Sequence, residues 1–222
     1  MSAKSSATLQ IGQNLSRIST KYRASIPDSL KRLPRHLEFG PGVNLVVGPN
    51  GSGKSTFIEG ILYNLLARKH DVSTDELLRR APDEVAFRDN MSIIFAKALD
   101  VSTNGLSGFS HIDYTLSAMD SFGLSMEGRM NSQRFMRLSQ RQSREALADR
   151  KLKSISQEQP QALLIDEPEH GLDPWRHADI ANLVGGLATA GSIVLVATNS
   201  PLLVIETALP RIDLRTPEQG VI

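Results

Sequence analysis

The chain has 222 residues, with 25 lysines and arginines against 24 aspartates and glutamates, a formal net charge of +1 and no cysteine. Its 40% hydrophobic and 22% charged residues exclude a chain disordered throughout and suit one domain with a sizeable core. The absence of cysteine excludes disulfides, thiolate metal sites and a cysteine nucleophile, and the near-zero charge gives no whole-chain argument for nucleic acid.

The polar opening, Met1 to Gln10, holds no apolar run of the kind an export signal needs. The most apolar stretch, Ser192 to Ala197, has the length of a buried strand rather than a membrane span. Cytoplasmic residence without membrane insertion is the expectation.

In chain order, Leu37-Glu38-Phe39 alternates, Gly40-Pro41-Gly42 turns, and Val43 to Val47 reads as a core strand. A glycine-rich loop, Gly48 to Gly53, follows. From Ser55 the period becomes helical, with Phe57, Ile61 and Leu65 on one face and Ile58, Leu62 and Leu66 beside them. So wide a stripe predicts a helix covered on much of its circumference. Ser73 with Glu76 forms a capping-box pattern for a short helix.

Met91 to Ala98 mixes strand and helix formers and is left unassigned, whereas His111 to Leu116 resembles a strand. Asn131 to Gln157 is rich in helix formers. Residues from about 70 to 155 are assigned to a smaller lobe and this long helix, within a single domain spanning 1–222. Ala162 to Ile165 reads as a strand of a parallel sheet. Pro174 opens a helix whose apolar face is Ile180, Leu183, Val184 and Leu187, Ser192 to Ala197 is another core strand, and Ile212 to Leu214 a late edge strand. The alternation predicts an α/β fold with a largely parallel core sheet flanked by helices.

Gly48-Pro49-Asn50-Gly51-Ser52-Gly53-Lys54-Ser55 fits the phosphate-loop pattern without a gap, between an apolar strand and an amphipathic helix. Glycines let backbone N–H groups converge on phosphate oxygens, and the helix start adds a partial positive field. Lys54 is expected to reach the β and γ phosphates, Ser55 to ligate Mg²⁺ and Thr56 to meet the α-phosphate. A chance match in a chain this long has a probability on the order of 1%. Ile165-Asp166-Glu167 places two carboxylates after an apolar strand, at the end where parallel sheets open onto ligand crevices. Asp166 then suits the Mg²⁺, and Glu167 suits orienting or deprotonating a water.

GPNGSGKST at 48–56 and LLIDEPEHGLD at 163–173 resemble the two nucleotide motifs of the ABC-type ATPase superfamily, in particular its soluble RecF- and SMC-like members and small AAA-type ATPases. The resemblance covers about 37–66 and 161–204, roughly a third of the chain. It implies a P-loop NTPase fold with a small N-terminal antiparallel β region, ATP and Mg²⁺ as cofactors, and an ATP-dependent homodimer. It further implies that Glu167 is the catalytic glutamate, and that Glu169 to Asp173 form the segment crossing the dimer interface.

Such ATPases contact the opposing γ-phosphate through an LSGGQ-like segment. Two registers compete, Leu138-Ser139-Gln140-Arg141-Gln142 and Arg129-Met130-Asn131-Ser132-Gln133, alongside a plain polar-faced helix with no signature. Neither carries the two glycines. After the last core strand, Ala197-Thr198-Asn199-Ser200-Pro201 resembles the switch segment with asparagine where histidine is common. Asn199 can donate to a γ-phosphate or a water but cannot titrate, so slow turnover is expected.

Functional alternatives are a non-hydrolysing ATP-dependent interaction module and the ATPase subunit of a transporter. Arg134, Arg137, Arg141 and Arg144 line one helical face that suits DNA, an acidic protein partner, the opposing subunit or plain solvent. Tyr22 reads first as a packing residue, with stacking on adenine the alternative. His36, His70, His111, His170 and His177 show no metal-ligand spacing and read as surface or turn residues.

Overall fold

The computed structural model describes residues 7–80, 90–113, 159–170, 182, 184–186, 188, 191–201 and 210–214. Two sheets organise them. The smaller is antiparallel, with β1 (Thr8–Gln13) between β2 (His36–Phe39) and β4 (Leu99–Asn104). Alternation in β1 sends Leu9 and Ile11 inward, and the register sets them beside Phe39, Leu37 and Val101. Two short helices, α1 (Thr20–Arg23) and α2 (Asp28–Lys31), fill the connection from β1 to β2.

The larger sheet has five parallel strands in the order β5, β6, β7, β3, β8, namely Gly108–Asp113, Gln161–Asp166, Ile193–Thr198, Gly42–Val47 and Arg211–Asp213. Its central strands are almost wholly buried, as their unbroken apolar runs require. On one face Val46, Leu164 and Leu195 join α3 (Lys54–Lys69) and the inner face of the antiparallel sheet in one core. On the other, Leu45, Val47, Leu163, Ile165, Val194 and Val196 pack with Val184. Each such side chain contributes about 1.5–3 kcal/mol on full burial.

The wide stripe of α3 is explained by its surroundings. Phe57, Ile58, Ile61 and Leu65 face the sheets, while Tyr63, Ala67 and Leu77 form a separate cluster beneath α4 (Thr74–Arg80), joined by Ala96 of α5 (Asn90–Ala96). The Ser73 hydroxyl accepts from the Glu76 amide at 3.1 Å and so caps α4 as its sequence predicts.

Several expectations change. The ambiguous segment from Met91 is helical as far as Ala96, and the strand following it, β4, carries only the short alternation Leu99 to Ser102 and was not expected. The strand expected from His111 starts three residues earlier, at Gly108, because its register follows β6. His111 consequently lies 8% exposed inside the sheet rather than on the surface. Within the span 70–155, β4 and β5 supply one strand to each sheet. Of the apolar face predicted after Pro174, Val184 is described and buried; Ile180, Leu183 and Leu187 lie outside the described residues, as does the long helix at 131–157.

Candidate active site

Adjacent parallel strands lie about 4.8 Å apart, so the carboxyl ends of β3, β7 and β6 form one short shelf. Register fixes its level, since Val47 pairs with Thr198 and Asp166 with Ala197. The loop at Gly48–Gly53, the Asp166-Glu167 pair and the Thr198-Asn199 pair all leave the sheet there.

The loop is held open by glycine where a side chain has no room. A Cβ on Gly48 would lie 2.5 Å from Ser52 Oγ and 3.1 Å from Leu214 Cβ. Gly51 and Gly53 have φ of +76° and +89°, the left-handed region that glycine enters freely. Behind the loop, α2 acts as a buttress. Leu30 packs on Gly53, and the Ser29 hydroxyl donates to the Ser52 carbonyl. Lys31 steadies α2 by donating to Asp28 at 2.8 Å, a bond that holds the Asp28 carboxyl below its usual range, with the Lys31 charge adding to it.

Lys54 opens α3 and is 3% exposed. Its Nζ donates to the Gly48 and Pro49 carbonyls at 3.1 and 3.2 Å and lies 3.6 Å from Glu167 Oε1. Ser55 and the buried Thr56 follow in the first turn, where backbone N–H groups have no intrahelical acceptor. Asp166 is 1% exposed at the end of β6. Glu167 adopts φ +43°, rare outside glycine and costing on the order of 1–3 kcal/mol. Its amide donates to the Ala197 carbonyl at 2.9 Å, and its second carboxylate oxygen lies 3.6 Å from His170 Nδ1.

Asn199 reaches across to the phosphate loop, its Nδ2 donating to Asn50 Oδ1 at 2.6 Å. Glu169 was missed as a site residue. The resemblance set it in an interface-crossing segment, yet its side chain turns inward and is 8% exposed. Its Oε1 accepts from the Thr198 hydroxyl and from the Asn199 amide, both at 2.8 Å. No local pattern in the sequence announces that orientation.

Gly48, Pro49, Asn50, Gly51, Ser52, Gly53, Lys54, Ser55, Thr56, Asp166, Glu167 and Asn199 thus gather on one shelf, whereas Ser132, Ser139 and Asp173 lie outside the described residues. Tyr22 is 47% exposed on α1, with Lys21 Nζ 5.6 Å from its ring centre. The donor set fits a magnesium nucleotide: one hydroxyl, one buried carboxylate, a buried ammonium and a glycine cradle whose Ser52 Oγ has no hydrogen-bond partner among the described residues. Among the described residues no cluster of three or more His, Asp or Glu side chains forms a metal site, and a Mg²⁺ completed by phosphates requires none.

The AAA domain family matches residues 29–164, more than half of the chain. A Pyrococcus horikoshii protein named as an ABC transporter ATP-binding protein is 29% identical over 187 residues, 77% of this chain and 68% of its own. An energy-coupling factor transporter ATP-binding protein of Symbiobacterium thermophilum is 28% identical over 174 residues, 70% of this chain and 57% of its own. The DNA replication and repair protein RecF of Acidothermus cellulolyticus is 35% identical over 72 residues, 32% of this chain and 19% of its own.

Proposed function

This chain belongs to the AAA-domain family of ABC-type P-loop ATPases, which bind and hydrolyse ATP with Mg²⁺, and we propose that two copies close around ATP to drive a partner. The observation that carries this reading is the approach of Lys54 to Glu167, 3.6 Å apart on a shelf shared with the Asn50–Asn199 bond. In it, the loop amides and Lys54 hold the phosphates, and Thr56 supports the α-phosphate. Ser55 and Asp166 hold the Mg²⁺, which neutralises phosphate charge when bound. Glu167 orients or deprotonates the attacking water. Asp173 and either Ser132 or Ser139 complete the partner copy's site.

The transporter-type names of the relatives at 29% and 28% identity favour an ATP-binding subunit working with a membrane-embedded polypeptide. In this reading the spanning half is another chain and this one sits on the cytoplasmic side; no helix among the described residues is long and apolar enough to cross a membrane. A DNA-maintenance role has narrower support, the RecF match covering 32% of the chain. A non-hydrolysing switch is favoured by one specific feature, the untitratable Asn199.

The test is phosphate release and sedimentation of wild type and Glu167→Gln with Mg-ATP. Wild type should release phosphate, and Glu167→Gln should stop release while accumulating an ATP-dependent dimer. ATP-dependent dimers of wild type without phosphate release would select the switch instead.

A further inference from the structure

We infer that Glu169 is the positioning residue for γ-phosphate recognition, clamping the Thr198–Ser200 segment so that Asn199 faces the phosphate loop. The inference rests on the nucleotide reading above and deepens it. Glu169 follows Asp166 by three residues, yet its carboxylate is engaged with a different strand. One oxygen accepts both the Thr198 hydroxyl and the Asn199 amide at 2.8 Å. The Thr198 hydroxyl in turn accepts from the Ser200 amide at 3.0 Å. One carboxylate thereby satisfies, directly or through Thr198, two successive backbone N–H groups just past the end of β7.

With its backbone tied, Asn199 is left exposed and directed at Asn50, to which Nδ2 donates at 2.6 Å. Its amide hydrogens therefore sit against the loop that would hold the phosphates. The other Glu169 oxygen is buried with no hydrogen-bond partner among the described residues. Burying a carboxylate half satisfied works against stability, a cost that stands beside what the satisfied oxygen positions. A plain strand-end cap needs only one neutral acceptor.

Mg-ATP and Mg-ADP affinities separate this role from a structural one, because only ATP carries the γ-phosphate that Asn199 would meet. Glu169→Ala should cut the ATP-over-ADP preference by about tenfold or more while ADP affinity stays within about twofold. Glu169→Gln keeps an acceptor oxygen and should stay within about threefold of wild type. Asn199→Ala should show the same loss, and the double variant no further loss, as expected for residues acting as a unit.

The inference is overturned if wild type does not distinguish ATP from ADP, if Glu169→Ala leaves the ratio unchanged or weakens both nucleotides equally, or if the two losses multiply. Should Glu169→Ala fail to fold, Thr198→Val removes one donor with little change of shape. It should lower the ratio partway, and an unchanged ratio overturns the inference. Wild type that prefers ATP but releases no phosphate defeats the hydrolytic reading alone, and the affinity ratios still decide the role of Glu169.

Discussion

Gly53→Ala isolates what the buttress behind the phosphate loop contributes. Gly53 sits at φ +89° and ψ 18°, and a Cβ there would lie 2.9 Å from both Leu30 Cδ1 and Cγ and 3.2 Å from Pro27 Cγ. The left-handed conformation costs an alanine roughly 1–2 kcal/mol. Leu30 is fully buried and cannot swing aside, so overpacking adds about 1–3 kcal/mol. The combined loss of about 2–5 kcal/mol should appear as a fall in melting temperature of about 4–20 °C for a domain of this size. Displaced loop amides should weaken Mg-ATP binding by about tenfold or more. The assay is a double-mutant cycle with Leu30→Ala, read by urea denaturation and Mg-ATP titration. Leu30→Ala alone should cost about 2–5 kcal/mol. The double variant should be less damaged than the sum by about 1–3 kcal/mol, because the truncated leucine relieves the clash but not the dihedral. Additivity within about 0.5 kcal/mol, or unchanged nucleotide affinity in Gly53→Ala, would refute the buttress.

Lys54→Ala should lower Mg-ATP affinity by at least about tenfold, since the ammonium is the buried cation of the site; equilibrium binding at wild-type strength would defeat the assignment. Asn199→His replaces an untitratable donor with an imidazole at the strand end, and turnover should rise by about tenfold or more. Steady-state phosphate release measures this, and an equal or lower rate would show that residue 199 does not limit hydrolysis.

What was readable in the sequence follows from how far each element reaches for its partners. The loop at 48–53 and the helix after it carry local signals, glycines and a helical period, and both appear where expected. The acidic pair was readable because β6 is an unbroken apolar run whose end must face the crevice. β4 was invisible because its partner β1 lies some ninety residues earlier and its alternation is short. The Asn199–Asn50 bond joins residues 149 apart, and only the parallel order β7, β3 brings them together. Glu169 was not singled out because the interface segment of the resembling family accounts for its place in the chain. Its direction depends on the turn at Glu167, whose φ of +43° no residue type at that position announces.

The Lys54–Glu167 pair links the two halves of the chemistry. At 3.6 Å and an effective dielectric near 20, a bare attraction between them is about 4–5 kcal/mol, much of it offset by desolvation. In the proposed function, phosphate oxygens and the Glu167 carboxylate would compete for the same ammonium. The second Glu167 oxygen lies 3.6 Å from His170 Nδ1, its other ion-pair neighbour among the described residues. Removing the negative charge while keeping the shape should therefore favour the nucleotide. Glu167→Gln should bind Mg-ATP about fivefold or more tighter than wild type when dimerisation is suppressed by dilution. Unchanged or weaker binding would mean that the pair does not oppose nucleotide entry, and that the strained Glu167 backbone serves the water alone.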